Sequence, residues 1–183
     1  MPSSPKQSPA KNPAERGFVS GRQTNMYAVR RWSVRHARLL EIIYHLFERL
    51  FVALHPLWNS IGYARIERPI AVVEKGIKGF LFDCQMCGQC FLNVTGMSCP
   101  MNCPKELTNG PCGGVRPDGN CEVKPDMHCV WVDAWEGSQR MRNSNVVKLV
   151  QKPVDYKLKG TSSWLRVARE KAVLRQQAVE EQA

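Results

Sequence analysis

The sequence predicts a small fold of helices set around an irregular, metal-bound loop core, with little β-sheet. Three observations carry that expectation. Apolar residues recur at three- and four-residue spacing before the middle of the chain. All eight cysteines fall within the 46 residues from Cys84 to Cys129. That same stretch is rich in Gly, Pro and Asn and has little periodicity. It cannot build a conventional apolar core, and bound metal is the natural substitute.

The 183 residues amount to about one domain, with a modest core. Four segments are expected. Residues 1–25 read as a disordered basic arm, because MPSSPKQSPAKNPAERG is rich in Pro, Ser and Lys. Residues 26–66 read as an amphipathic helical docking segment. Ser33 is the expected N-cap, and Leu39, Ile42, Ile43, Leu46, Phe47, Leu50, Phe51 and Leu54 form the apolar stripe. Pro56 ends that helix at or before His55. The stripe has two readings, burial against its own domain or docking on a partner subunit. Residues 67–140 form the cysteine-rich domain. It is entered by a helix with Pro69 at its first position and with Ile70, Val73, Ile77 and Phe80 in phase; Gly76 and Gly79 weaken that helix. It is closed by a short helix over VWVDAWEGSQRM. Residues 141–183 read as an extended segment followed by a C-terminal helix capped by Ser162 or Ser163.

The formal charge of +10 is unevenly placed. Eight Lys and Arg against one acidic residue, Glu15, lie between Met1 and Leu40. Between Asp83 and Cys129 five acidic residues face three basic ones. A basic arm suits an acidic protein face, an anionic surface or plain solvent. The slightly acidic cysteine region argues against a nucleic-acid partner. The start has no apolar h-region of a secretory signal, and no apolar run reaches the ~18–20 residues needed to cross a bilayer. The expectation is a cytoplasmic protein, where clustered cysteines read as metal ligands before disulfides.

The candidate ligands are Cys84, Cys87, Cys90, Cys99, Cys103, Cys112, Cys121 and Cys129, in the pattern C-x2-C-x2-C-x8-C-x3-C-x8-C-x8-C-x7-C. Two-residue gaps let successive thiolates wrap one corner of a cubane, as in bacterial ferredoxins, where a later Cys supplies the fourth ligand. Cys84, Cys87 and Cys90 therefore share one cluster, and their fourth partner is Cys129, Cys121 or one of the two Cys-Pro residues, Cys99 and Cys103. Eight thiolates are the number that two [4Fe-4S] clusters require. Zinc competes: Cys99 and Cys103 make a C-x3-C pair, with Cys112 and Cys121 as further ligands. One [4Fe-4S] plus one Zn, or zinc alone, stays open. The glycines Gly88, Gly96, Gly110, Gly113, Gly114 and Gly119 are expected to let backbone N–H groups approach the cluster sulfides. His128 beside Cys129 is read as a turn residue before a ligand, and Asp83, Asp118 and Asp126 as turn residues before acid–base groups. No G-x-G-x-x-G, no P-loop and no nucleophile–base pair is present. The chain reads as a wire or a staple, with no complete active site of its own.

The run DCQMCGQCFLNVTGMSCPMNCPKELTNGPCGGVRPDGNCEVKPDMHCVW resembles the cysteine-rich methylenetetrahydrofolate reductase C-terminal domain. The likeness runs from about Glu67 to Trp135, with NGPCGG and NCEV as its specific signature, and the later KGTSSWL is similar too. That family occurs fused to, or beside, a flavin-dependent (β/α)8-barrel reductase of one-carbon metabolism. Such a barrel takes about 250 residues, and none is present here. The resemblance thus implies a small iron–sulfur accessory subunit. Its clusters would pass electrons from an external donor, such as one of ferredoxin type, to a flavin held only in the partner subunit. The alternative is a structural zinc-binding module that stabilises or regulates the reductase without carrying electrons.

Overall fold

The computed structural model describes residues 20–110 and 112–181, and the side chains among these from residue 27 onward. Six α-helices lie among the described residues: α1 (Ser20–Arg35), α2 (Ala37–Ala53), α3 (His55–Ile61), α4 (Tyr63–Phe82), α5 (Val130–Arg140) and α6 (Ser163–Glu180). No strand lies among them; two isolated antiparallel bridges, Val115 with Cys121 and Asn120 with His128, are the only sheet-like pairings described. The helical expectation with little β-sheet is met.

The first helix differs from expectation. Of the arm expected over residues 1–25, residues 1–19 lie outside the described residues, and residues 20–25 belong to α1. Ser33 is not an N-cap. It sits inside α1, fully buried, and its hydroxyl donates to the Leu81 carbonyl at 2.8 Å. A serine is a cap only where the backbone before it leaves the helix, and Asn25 to Arg35 stay in it. The break falls at His36, whose ring stacks on Trp32 at 4.4 Å between centroids.

α2 ends at Ala53, as Pro56 requires, and Pro56 then opens α3, where its missing N–H costs nothing. The start of α4 is a correction. The helix begins at Tyr63 after Gly62 (φ 94°), so Pro69 lies inside it rather than at its first position. Pro69 leaves one carbonyl without its helical donor, a defect usually costing about 3 kcal/mol. α5 matches the short helix expected after Cys129. Ser162 caps α6, its Oγ accepting from Leu165 N at 3.3 Å. Between them, residues 141–162 run irregularly with two short 3₁₀ turns.

The largest core cluster joins Ala37 and Leu40 of α2, Phe82 of α4 and Leu92, Met97, Cys99 and Met141. α2 and α6 pack through aromatics, Phe47 and Phe51 lying 4.5 and 5.9 Å from the Trp164 ring. The backbone of the cysteine loop meets α5 at Gly96 and Gly137, where a Cβ on either would run into the other chain segment.

Most of the apolar stripe on α2 does not bury itself. Leu39, Ile42, Ile43, Leu46 and Leu50 are all more than half exposed. α4 shows an inversion. Val73, Ile77 and Phe80 face outward, while Glu74 and Lys78 are 1% and 3% exposed.

Candidate metal centre

The loop after α4 is built from left-handed backbone. Asp83 caps the helix at φ 52°, and Met86 (φ 48°) and Gly88 (φ 74°) follow. Three such residues within six positions wind the chain so tightly that Cys84, Cys87 and Cys90 face one cavity. Gly88 and Gly160 matter to that winding. A Cβ on Gly88 would strike Leu158 and Thr161, and Gly160 N donates to Met86 O at 2.8 Å, so the 158–161 loop clamps the turn from outside.

Cys99 lines the same cavity and pairs with Cys84 through a side-chain hydrogen bond. Of the four candidates for fourth partner, Cys99 is the one that lines this cavity. It reaches the cavity because Thr95 Oγ1 donates to Ser98 O (2.6 Å) and Ser98 Oγ to Val130 O (3.1 Å), locking the turn before Cys99 onto α5. The cavity is about 20 Å³, space for a water-sized group.

Sulfur here is met by N–H donors. Met86 N donates to Cys84 Sγ at 3.4 Å, and Lys78 Nζ to Cys90 Sγ at 3.4 Å. The hydrogen bond to Cys99 holds the Cys84 thiol down to about 7 against the opposing effect of burial; Met86 N–H and the Lys78 ammonium act in the same direction. The same bond, with burial, pushes Cys99 well up. Burial pushes the Tyr44 phenol up, and neighbouring Cys90 pushes it further.

Lys78 is anchored by a network that reading the sequence missed. Its Nζ donates to Glu74 Oε1 and to Ser163 Oγ, each at 2.7 Å. Glu74 Oε1 also accepts from Ser163 Oγ (2.5 Å), and Oε2 accepts from Ser162 Oγ (2.6 Å) and Trp164 N (3.4 Å). The carboxylate therefore sits at the N-terminus of α6, where the helix dipole favours it. Burial opposes the Lys78 charge, but Cys90 and Glu74 outweigh it and hold the ammonium above its usual range. Glu74 and Lys78 are four apart on a helix, the spacing of an ordinary surface pair. The one available signal was their phase: they lie with Phe82 on one face, away from Val73, Ile77 and Phe80.

The other four cysteines are gathered less tightly. Cys103 and Cys129 pack with Trp131 and Ala134, and Cys121 packs with Met127 and Val130. The bridge between Val115 and Cys121 brings the segment after Cys112 alongside Cys121, and Cys121 N donates to Met127 O at 2.9 Å. Gly114 N donates to Cys112 Sγ at 3.4 Å. The Trp131 Nε1–H, beside Cys103 and Cys129, is buried with no partner among the described residues. Of the six glycines expected to expose N–H groups to sulfur, Gly114 does so. Gly88, Gly96, Gly110, Gly114 and Gly119 each also sit where a Cβ would meet a neighbouring segment. His128 binds Asp133 Oδ1 through Nδ1 at 2.8 Å. Asp118 Oδ1 accepts from Asn120 N at 3.0 Å, as a turn residue does. Among the described residues, no three His, Cys, Asp or Glu side chains close on one point as a single ion would need.

The family model described as methylene-tetrahydrofolate reductase C terminal matches residues 63–157, just over half of the chain. This chain belongs to that family. The match begins at the first residue of α4 and takes in all eight cysteines, both glycine-rich turns and α5. No curated protein and no solved structure matches the chain. Ser162 and Ser163 lie beyond the matched residues, yet both hydrogen-bond to Glu74 within them. Among the described residues no helix is long and apolar enough to cross a membrane.

Proposed function

We propose that this family member is an iron–sulfur electron-transfer subunit of a methylenetetrahydrofolate reductase, carrying two [4Fe-4S] clusters for a flavin barrel on a separate subunit. The observation that carries the reading is the meeting of Cys84, Cys87, Cys90 and Cys99 at one cavity, with N–H donors on two of their sulfurs. Four soft thiols in C-x2-C-x2-C-x8-C order fit an iron–sulfur cluster, and N–H···S contacts are the usual means of stabilising its thiolates. Cys103, Cys112, Cys121 and Cys129 would hold the second, where the unpaired Trp131 N–H supplies a donor for a thiolate. A larger guest than water requires the 84–90 turn to open, and that turn is held by separate hydrogen bonds, among them Gly160 N to Met86 O, Arg166 Nε to Gly88 O and Gln85 Nε2 to Asn102 Oδ1, rather than by a helix. Bound clusters supply one-electron steps to a two-electron flavin.

The residues of this chain do the rest. The exposed stripe Leu39, Ile42, Ile43, Leu46 and Leu50 offers an apolar face of the kind a permanent partner covers, which supports the docking reading of α2. Beside Cys84, an open groove of about 610 Å³ carries Arg68, Lys75 and Lys159 on its walls. That charge suits approach by an acidic, ferredoxin-type donor.

The test is to mix the anaerobically reduced chain with an oxidised flavin barrel reductase subunit of the kind such domains accompany. Stoichiometric bleaching of the flavin absorbance is the expected result. Stable complex formation without electron transfer, in a chain that holds zinc, would leave the structural module instead.

A further inference from the structure

Lys78 enters the reading above only as a donor to Cys90 Sγ and Glu74 not at all, and their placement is costly. An ammonium and a carboxylate are taken almost wholly out of water, where such a pair is seldom more stable than apolar side chains of the same size. The pair is aimed: Lys78 Nζ reaches Cys90 Sγ at 3.4 Å on one side and Glu74 Oε1 at 2.7 Å on the other. Every oxygen of Glu74 is satisfied by Lys78 or by the start of α6.

We propose that Lys78 is a positioning residue that sets the reduction potential of the group held by Cys84, Cys87, Cys90 and Cys99, with Glu74 as its holder and partial counter-charge. The inference rests on the cluster reading. Hydrogen bonds to the thiolate sulfurs and the net charge nearby are what tune such potentials. Reduction brings in one electron from an external one-electron carrier and adds one negative charge, with no bond made or broken. Lys78 keeps its proton throughout. Its fixed positive charge and its N–H···S bond both favour the more negative state, and the weakly screening interior magnifies the effect. Glu74, which lines the same cavity but makes no hydrogen bond to sulfur, opposes it. Tyr44, Cys84 and Cys90 are the other titratable groups that face Lys78 or its sulfur partner, and none is required to change charge.

The two residues therefore act with opposite sign, which a merely structural pair would not do. The experiment is an EPR-monitored redox titration of the full, iron-loaded chain. Lys78→Met lowers the midpoint of one cluster by at least a tenfold change in the reduction equilibrium, 59 mV for a one-electron couple. Glu74→Gln raises the same midpoint, Lys78→Arg restores most of the loss, and the second cluster does not move. If Lys78→Met loses its iron, the Glu74→Gln/Lys78→Met double variant, which buries no unpaired charge, is titrated in its place, and its midpoint is expected below that of Glu74→Gln alone. Full iron content with unmoved midpoints overturns the role of Lys78 while sparing the cluster reading. So do shifts of the same sign in both single variants. Wild-type chain that binds no iron overturns both.

Discussion

The helical layer and the cysteine loops bury opposite things. On α2 and α4 the large aliphatic residues Ile43, Leu46, Val73 and Ile77 face outward, while Glu41, Glu74 and Lys78 are buried. In the loops, five cysteines are buried in the company of Met97, Met127 and Trp131. A helix that serves only its own core puts its aliphatics inside. A loop stretch without periodicity has no such option and must be held by contacts of another kind. The contrast teaches that the helices carry different things on their two sides: a sulfur site within and an exposed apolar face without.

The largest effect should come from the loops. Cys99→Ser removes the ligand that closes the first cavity and is expected to lose about half of the bound iron, read by metal analysis, with the second site retained. Next comes the buried pair. Glu74→Ala strands the Lys78 ammonium and three donors at the start of α6, and a loss of about 3–5 kcal/mol is expected in denaturant unfolding. A loss below about 1 kcal/mol would mean that the burial of Glu74 is not what ties α6 to α4.

The outer face should answer differently. Leu46→Lys, at a position 67% exposed, is expected to change stability by no more than about 0.5 kcal/mol and yet abolish co-purification with the barrel subunit. If instead the chain unfolds, the stripe is part of its own core and the contrast between the two regions collapses.

The acid–base prediction sharpens the loop side. In the metal-free chain Cys84 titrates at about 7, below an ordinary thiol, so its folded value is depressed. The stability it contributes is present in full above its unfolded value and is lost as pH falls through about 7. The same depression makes Cys84 the thiol alkylated first near neutrality, with a rate that falls about tenfold per unit below pH 7. Peptide mapping after a short pulse of iodoacetamide at several pH values checks it. The smallest effect lies on α4: Gly76 has open space where a Cβ would stand, and Gly76→Ala should add about 0.5–1 kcal/mol.

Much of this was legible in the sequence, for identifiable reasons. Cysteine spacing and glycine content marked the irregular core, periodicity marked α2 and α4, the Trp131–Trp135 spacing marked α5, and a capping serine marked α6. The fourth partner of Cys84, Cys87 and Cys90 was not legible. Cys99 and Cys103 both precede proline, and it is the lock of Ser98 onto Val130 O that turns Cys99 toward the cavity of the first three. Ser33 misled because a buried hydroxyl bonded 48 residues away looks like a cap in sequence. Glu74 and Lys78 were passed over because their partners, Ser162, Ser163 and Cys90, come from segments that only the fold brings together.

The most direct measurement is iron, sulfide and zinc analysis of the full chain purified without oxygen, with EPR of the dithionite-reduced protein. The account predicts about eight iron and eight sulfide per chain and the signal of a reduced [4Fe-4S] cluster. Zinc in place of iron at both sites would contradict it.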